Sequence, residues 1–142
     1  MDRKDFIKNC GWACVGVLGS SLMLSSCKST QTISAIRENN YLLVAREKLQ
    51  KQATKTTLYQ LENSQLSHPL LIVESGETYT ILEMRCTHQN NGLELFGDRL
   101  QCAAHGSEFN IQGAVLKGPA EMQLKEYNWQ LDERHLKINI ES

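Results

Sequence analysis

The residues best suited to chemistry in this 142-residue chain form two short groups of cysteine and histidine. Cys86-Thr87-His88 and Cys102-Ala103-Ala104-His105-Gly106-Ser107 make a C-x-H … C-x-x-H set, with thirteen residues between His88 and Cys102. Each half places one thiolate and one imidazole on a tight loop, so two loops can close over a compact metal centre from opposite sides. With two metals, the cysteines can hold one and the histidines the other. The same four side chains could instead hold a single tetrahedral zinc ion. A Cys86–Cys102 disulfide beside incidental histidines is the third reading, and the ordinary one for two cysteines in an exported domain. His68 precedes a proline in a loop and His135 begins an edge strand after an exposed turn, so both read as structural. Tyr127 and Trp129 read as core or rim residues.

These motifs resemble the Rieske iron–sulfur family over a segment from about Leu70 to Ile140. The likeness rests on Cys-Thr-His at 86–88, Cys-x-x-His-Gly-Ser at 102–107, Phe109, Gly113 and then Gly118-Pro119-Ala120. The last of these matches a proline loop that covers the cluster in the family. The layout is similar to that of small exported Rieske lipoproteins of Gram-negative bacteria. The resemblance implies a [2Fe–2S] cluster ligated by Cys86, His88, Cys102 and His105. It also implies an all-β, Rieske-type antiparallel β-sandwich with a small cluster-binding subdomain of two loops. Two thiolates and two neutral imidazoles leave the oxidised cluster roughly neutral, which raises its potential above that of a four-thiolate cluster. As in the family, partly exposed imidazoles would exchange a proton as the electron comes and goes.

Neighbouring groups tune such a centre. The resemblance assigns Ser107 a hydrogen bond to a bridging sulfide, which stabilises the reduced state. Phe109 stands where high-potential members have a tyrosine, so a lower potential is expected. Asn91 and Ala104 occupy the positions of a disulfide found in quinol-oxidising members, and its absence counts against that activity. The function implied is one-electron transfer by a membrane-tethered periplasmic carrier, with no catalytic residue of its own. Its partner is an unidentified redox protein or oxidoreductase complex, and Glu121 and Met122 border the surface that would meet it. The alternative is a Rieske subunit of a quinol-oxidising or other membrane-associated oxidoreductase complex. A non-redox metal or structural module is a second alternative.

The elements that must position these residues read as short strands. Tyr41–Val44 and Thr57–Tyr59 are strand candidates, and Ala45–Lys55 between them is left as a helical turn or loop. Leu70–Val73 and Thr78–Leu82 form a hairpin about Glu74-Ser75-Gly76-Glu77. Leu93–Phe96 and Arg99–Gln101 flank Gly97-Asp98, a strong two-residue turn signal. Leu124–Leu131 and His135–Ile140 flank another turn, with Leu136, Ile138 and Ile140 alternating with polar residues. Many short strands with frequent turns predict an all-β domain.

The beginning of the chain bears on location. Arg3, Lys4 and Lys8 precede an uncharged run from Asn9 to Cys27, the pattern of an export signal. Leu24-Ser25-Ser26-Cys27 resembles the lipobox of bacterial lipoproteins, which implies cleavage after residue 26 and acylation of Cys27. Arg3-Lys4-Asp5-Phe6-Ile7-Lys8 resembles a twin-arginine signal with its second arginine changed to lysine; it also suits an ordinary basic head. The expected organisation is a signal peptide over 1–26, lipidated Cys27 and a polar tether over 27–40, and the Rieske domain over 41–142. The lipid would hold the domain to a membrane at the periplasmic side of the cell envelope. With 41% hydrophobic and 22% charged residues and a net charge of −1, the chain is not a disordered tail. No basic stripe exists to attract nucleic acid.

Overall fold

The computed structural model describes residues 30–49 and 55–141. The expectations for the signal peptide at 1–26 and for Cys27 lie outside these residues. The described residues form twelve strands in three four-stranded sheets. They are β1 (Gln31–Ser34), β2 (Ile36–Glu38), β3 (Tyr41–Ala45), β4 (Thr56–Glu62), β5 (Leu70–Ser75) and β6 (Thr78–Glu83). There follow β7 (Glu94–Phe96), β8 (Arg99–Gln101), β9 (Glu108–Asn110), β10 (Val115–Lys117), β11 (Trp129–Leu131) and β12 (His135–Asn139). All neighbours pair antiparallel except β1 and β4.

The sheet of order β1-β4-β5-β6 is the middle layer. Side chains alternate between the two faces of a strand, and in β5 both faces are apolar. Leu70 and Ile72 enter one core with Tyr59, Leu61, Tyr79 and Ile81. That core is closed by Leu42 and Val44 of β3 and Leu136 and Ile138 of β12, in the sheet β11-β12-β3-β2. Leu71 and Val73 face the opposite way, with Leu82 and Met84, into a second core with Leu100, Phe109, Leu124 and both Cys86 and Cys102. The sheet β10-β9-β8-β7 covers this side. The sandwich and the smaller subdomain thus share one wall, and the cysteines belong to the subdomain's core.

Four expectations are corrected. Residues 28–40 are not all tether: Gln31–Ser34 pairs parallel with Tyr59–Glu62, and Ile36–Glu38 pairs with Tyr41–Leu43. Ile33 is buried in the first core, which draws this otherwise polar segment onto the sheet edge. Glu74 lies in β5 and not in the turn. Its carboxylate is fully buried and accepts hydrogen bonds of 3.0 Å from the hydroxyls of Tyr59 and Tyr79, which is what makes the burial tolerable. His135 begins a strand with neighbours on both sides, β11 and β3, so β12 is not an edge. Residues 124–128 form no strand; only Glu126 bridges to Leu82 before β11 starts at Trp129.

Candidate metal centre

Both loops that carry a cysteine–histidine pair are built on hairpins, and they close in the same way. Leu93 N–H donates to Met84 C=O and an isolated bridge joins Arg85 to Gly92, so extended chain enters and leaves the first loop side by side. At its tip, Cys86 N–H donates to Asn91 C=O at 2.7 Å and Asn90 N–H returns to Cys86 C=O at 2.8 Å. The second loop joins β8 to β9. Here Cys102 N–H donates to Ser107 C=O at 2.9 Å and Gly106 N–H returns to Cys102 C=O at 2.8 Å. The fifth residue of each loop has a left-handed backbone, Asn90 at φ 60° and Gly106 at φ 76°. Asn and Gly are the residues that adopt this conformation most readily.

Within these frames the cysteines point inward and the histidines outward. Cys86 and Cys102 are 0% and 1% exposed and are not bridged to each other. The disulfide reading is therefore overturned. His88 and His105 are exposed, with ring centroids 5.0 Å apart and planes at 85°. Two loops far apart in sequence thus bring two thiols and two imidazoles to one tip of the domain. His68 lies beside the returning arm of the first loop, near Gly92, and neither it nor His135 takes part.

The segment 118–122 caps this tip and is held by one hydroxyl from each loop. Thr87 Oγ1 donates to the Met122 carbonyl at 2.6 Å. Ser107 Oγ, fully buried, accepts the N–H of Ala120 at 3.0 Å. The hairpin from β9 to β10 backs the cap. Gly113, at φ 84°, lies so close to the middle sheet that a Cβ there would meet Leu82 Cδ2 at 3.0 Å, and its carbonyl accepts Leu124 N–H. Neither the cap's two hydroxyl anchors nor the shared geometry of the loops was foreseen from the sequence. The short strands β9 and β10 were missed too, being three residues each.

The donor set fits a two-iron cluster. Among the described residues, no three His, Cys, Asp or Glu side chains gather about one point, as a single metal ion would ask. A cluster that takes two cysteines on one iron and two histidines on the other needs only pairs. Ser107 also fits: its oxygen is used by Ala120 while its own hydrogen has no acceptor among the described residues. A buried hydroxyl donor of this kind calls for an acceptor at the site.

Comparison with known proteins agrees with this geometry. The family model of the Rieske [2Fe-2S] domain matches residues 39–128. A curated relative, the methylxanthine N1-demethylase NdmA of Pseudomonas putida, is 32% identical over 73 residues. That stretch is 49% of this chain and 21% of the demethylase, so the chain spans about a fifth of this relative. Among solved structures, the plasma membrane Rieske protein PetC3 from Synechocystis PCC 6803 is 27% identical, with a TM-score of 0.47 over 56% of this chain and 84% of that one. A chain from the complex of reduced oxygenase and oxidized ferredoxin in carbazole 1,9a-dioxygenase has a TM-score of 0.50 at 22% identity. It covers 72% of this chain and 95% of its own, and shows the fold alone. Rieske domains bind a [2Fe–2S] cluster, transfer electrons through it and work with redox partners or oxidoreductase complexes. Matched over more than half its length, this chain belongs to the Rieske [2Fe–2S] domain family.

Proposed function

We propose that this protein is a one-electron carrier held to a membrane on the periplasmic side of the cell envelope. The observation that carries the redox part is the pairing of buried, unbridged Cys86 and Cys102 with adjacent exposed His88 and His105 at one tip. In this reading Cys86 and Cys102, at the subdomain core, would hold one iron and the exposed His88 and His105 the other. When bound, the cluster supplies a one-electron couple at a potential set by its ligands and their hydrogen bonds. The chain's own residues do the rest. Leu100, Phe109 and Leu124 keep water from the cysteine side. Thr87 and Ser107 hold the cap in place, and the hydroxyl hydrogen of Ser107 would be the donor offered to the cluster. The outward edges of His88 and His105 shorten the path to a docked protein.

The export and anchoring parts rest on the sequence of residues 1–27, with Cys27 as the acylated residue. A second reading, a Rieske subunit within an oxidoreductase complex, is favoured by the match to a demethylase of which the 73 matched residues are 21%. Absorption and electron paramagnetic resonance spectra of the freshly purified, reduced protein test the redox part. A Rieske-type signal is expected in the native chain and its loss in His105→Ala, where one iron keeps a single protein ligand. An iron-free, colourless yet folded native protein would end the proposal. Copurification with a catalytic subunit would favour the second reading.

A further inference from the structure

Glu83, Arg85 and Tyr127 gather at the foot of the first loop. β6 ends at Glu83, and Met84 and Arg85 lead from it to Cys86. Leu82 and Met84 enter the core that holds both cysteines, so alternation sends Glu83 and Arg85 to the opposite side of the strand. There Arg85 Nη2 lies 3.2 Å from Glu83 Oε2. Glu83 N–H donates to the Lys125 carbonyl at 2.9 Å, which lays residues 125–127 along β6 and brings Tyr127 to the pair. Burial first, and then the charge of Glu83, push the Tyr127 hydroxyl above its ordinary value.

Glu83 is only 7% exposed, while the Arg85 side chain is 37% exposed. Taking a carboxylate out of water costs free energy that a single ion pair repays only in part, so the pair is weak support for the fold. What Arg85 does is keep Glu83 ionised. The resulting charge lies three residues from Cys86, about 10 Å of extended chain. A buried charge is screened less than an exposed one, so the field of Glu83 reaches its surroundings more fully than the opposing field of Arg85.

Resting on the redox reading above, we propose that the buried carboxylate of Glu83 lowers the potential of this centre: it opposes reduction of the cluster and inclines the protein to give up its electron. Reduction adds one electron with its negative charge and breaks no bond, and a carboxylate held close by repels that charge. A unit charge about 10 Å away changes such an equilibrium roughly fifteenfold at an effective dielectric constant of about 20, and roughly fourfold at twice that value. Arg85 holds the carboxylate in its charged form and damps its field.

The test is a redox titration of the intact protein at one fixed pH. Dithionite passes one electron to the cluster through a mediator dye, and visible absorption reads the product. At the native midpoint, Glu83→Gln should raise the ratio of reduced to oxidised cluster about four- to fifteenfold. Tyr127→Phe alters the surroundings of the same carboxylate without changing charge; it should lower the melting temperature and leave the ratio nearly unchanged. An unmoved ratio in Glu83→Gln would overturn the proposal. So would an equal shift in Tyr127→Phe, by showing that packing alone is at work. Should Glu83→Gln fail to retain a cluster, Glu83→Gln/Arg85→Lys is set against Arg85→Lys, whose flexible amine can turn to water once the carboxylate is gone. A rise of the same size is expected there, and its absence would overturn the proposal. A native protein with no Rieske signal would instead overturn the redox reading, and this inference with it.

Discussion

Ser107→Ala removes one buried oxygen that joins the second loop to the cap. The substitution scarcely changes volume, so the cost comes from hydrogen bonding. Ala120 is 4% exposed, and its N–H has no water to turn to once Ser107 Oγ is gone. An unsatisfied buried donor costs about 1–3 kcal/mol. For a domain of this size, that lowers the melting temperature by roughly 3–15 °C. The Ala120 amide should also exchange with solvent about ten- to a hundredfold faster, which separates loss of the cap from a general loss of stability. If the serine hydrogen also serves the cluster, losing about 1–2 kcal/mol of preference for the reduced state lowers the potential by roughly 40–90 mV. Melting followed by circular dichroism, amide exchange and redox titration measure the three effects on the same preparation. Unchanged melting and unchanged Ala120 exchange would refute the reasoning, since both follow directly from the bond at 3.0 Å. A fall in stability without a change in potential would confine the hydroxyl to holding the cap.

Three further outcomes are expected. Phe109→Tyr should raise the potential by on the order of 50 mV if its ring, buried in one core with both cysteines, reaches a ligand sulfur; an unchanged titration would count against that contact. Thr87→Val deletes the bond to the Met122 carbonyl, so proteolysis within 118–122 should speed up about two- to tenfold and Thr87→Ser should restore the native rate. Tyr79→Phe leaves Glu74 with Tyr59 as its remaining tyrosine donor and should cost about 1.5–3 kcal/mol in denaturant unfolding. The Tyr79 hydroxyl is pushed up from 10.0 to about 12, first by burial and then by its bond to Glu74. Its raised value in the folded state means the contribution is complete below pH 10.0 and is lost as pH rises towards about 12. Tyrosinate absorption should show one ring fewer titrating late in Tyr79→Phe, and an unaltered alkaline limb would sink this assignment.

That the two cysteine–histidine pairs come to one tip could be expected from the sequence because each loop is local: cysteine and histidine lie two or three residues apart. Gly97-Asp98 was readable for the same reason, since a two-residue turn needs only its own backbone, and Gly97 indeed has φ 63°. The alternation of Leu136 and Ile138 reports their common burial on β12. What escaped was decided at long range. Gln31–Ser34 has one buried apolar residue and becomes a strand through a partner twenty-eight residues away. Glu74 carries the signature of a turn, yet two tyrosines from neighbouring strands make it an interior residue. The short strands β9 and β10 hold three residues each, too few for a period to emerge, and they exist because β8 and the middle sheet lie beside them. The anchors at Thr87 and Ser107 required knowing that residues 120 and 122 fold back over both loops.

The two loops share a backbone frame but not the seat of the histidine, which follows its cysteine by two residues in one and by three in the other. This offset breaks the twofold likeness of the tip, and the rings accordingly meet edge to face. A protein docking there, as proposed, would meet a keyed surface with one way up. Moving His105 to residue 104 would give both jaws the same spacing and set the rings in new relative positions.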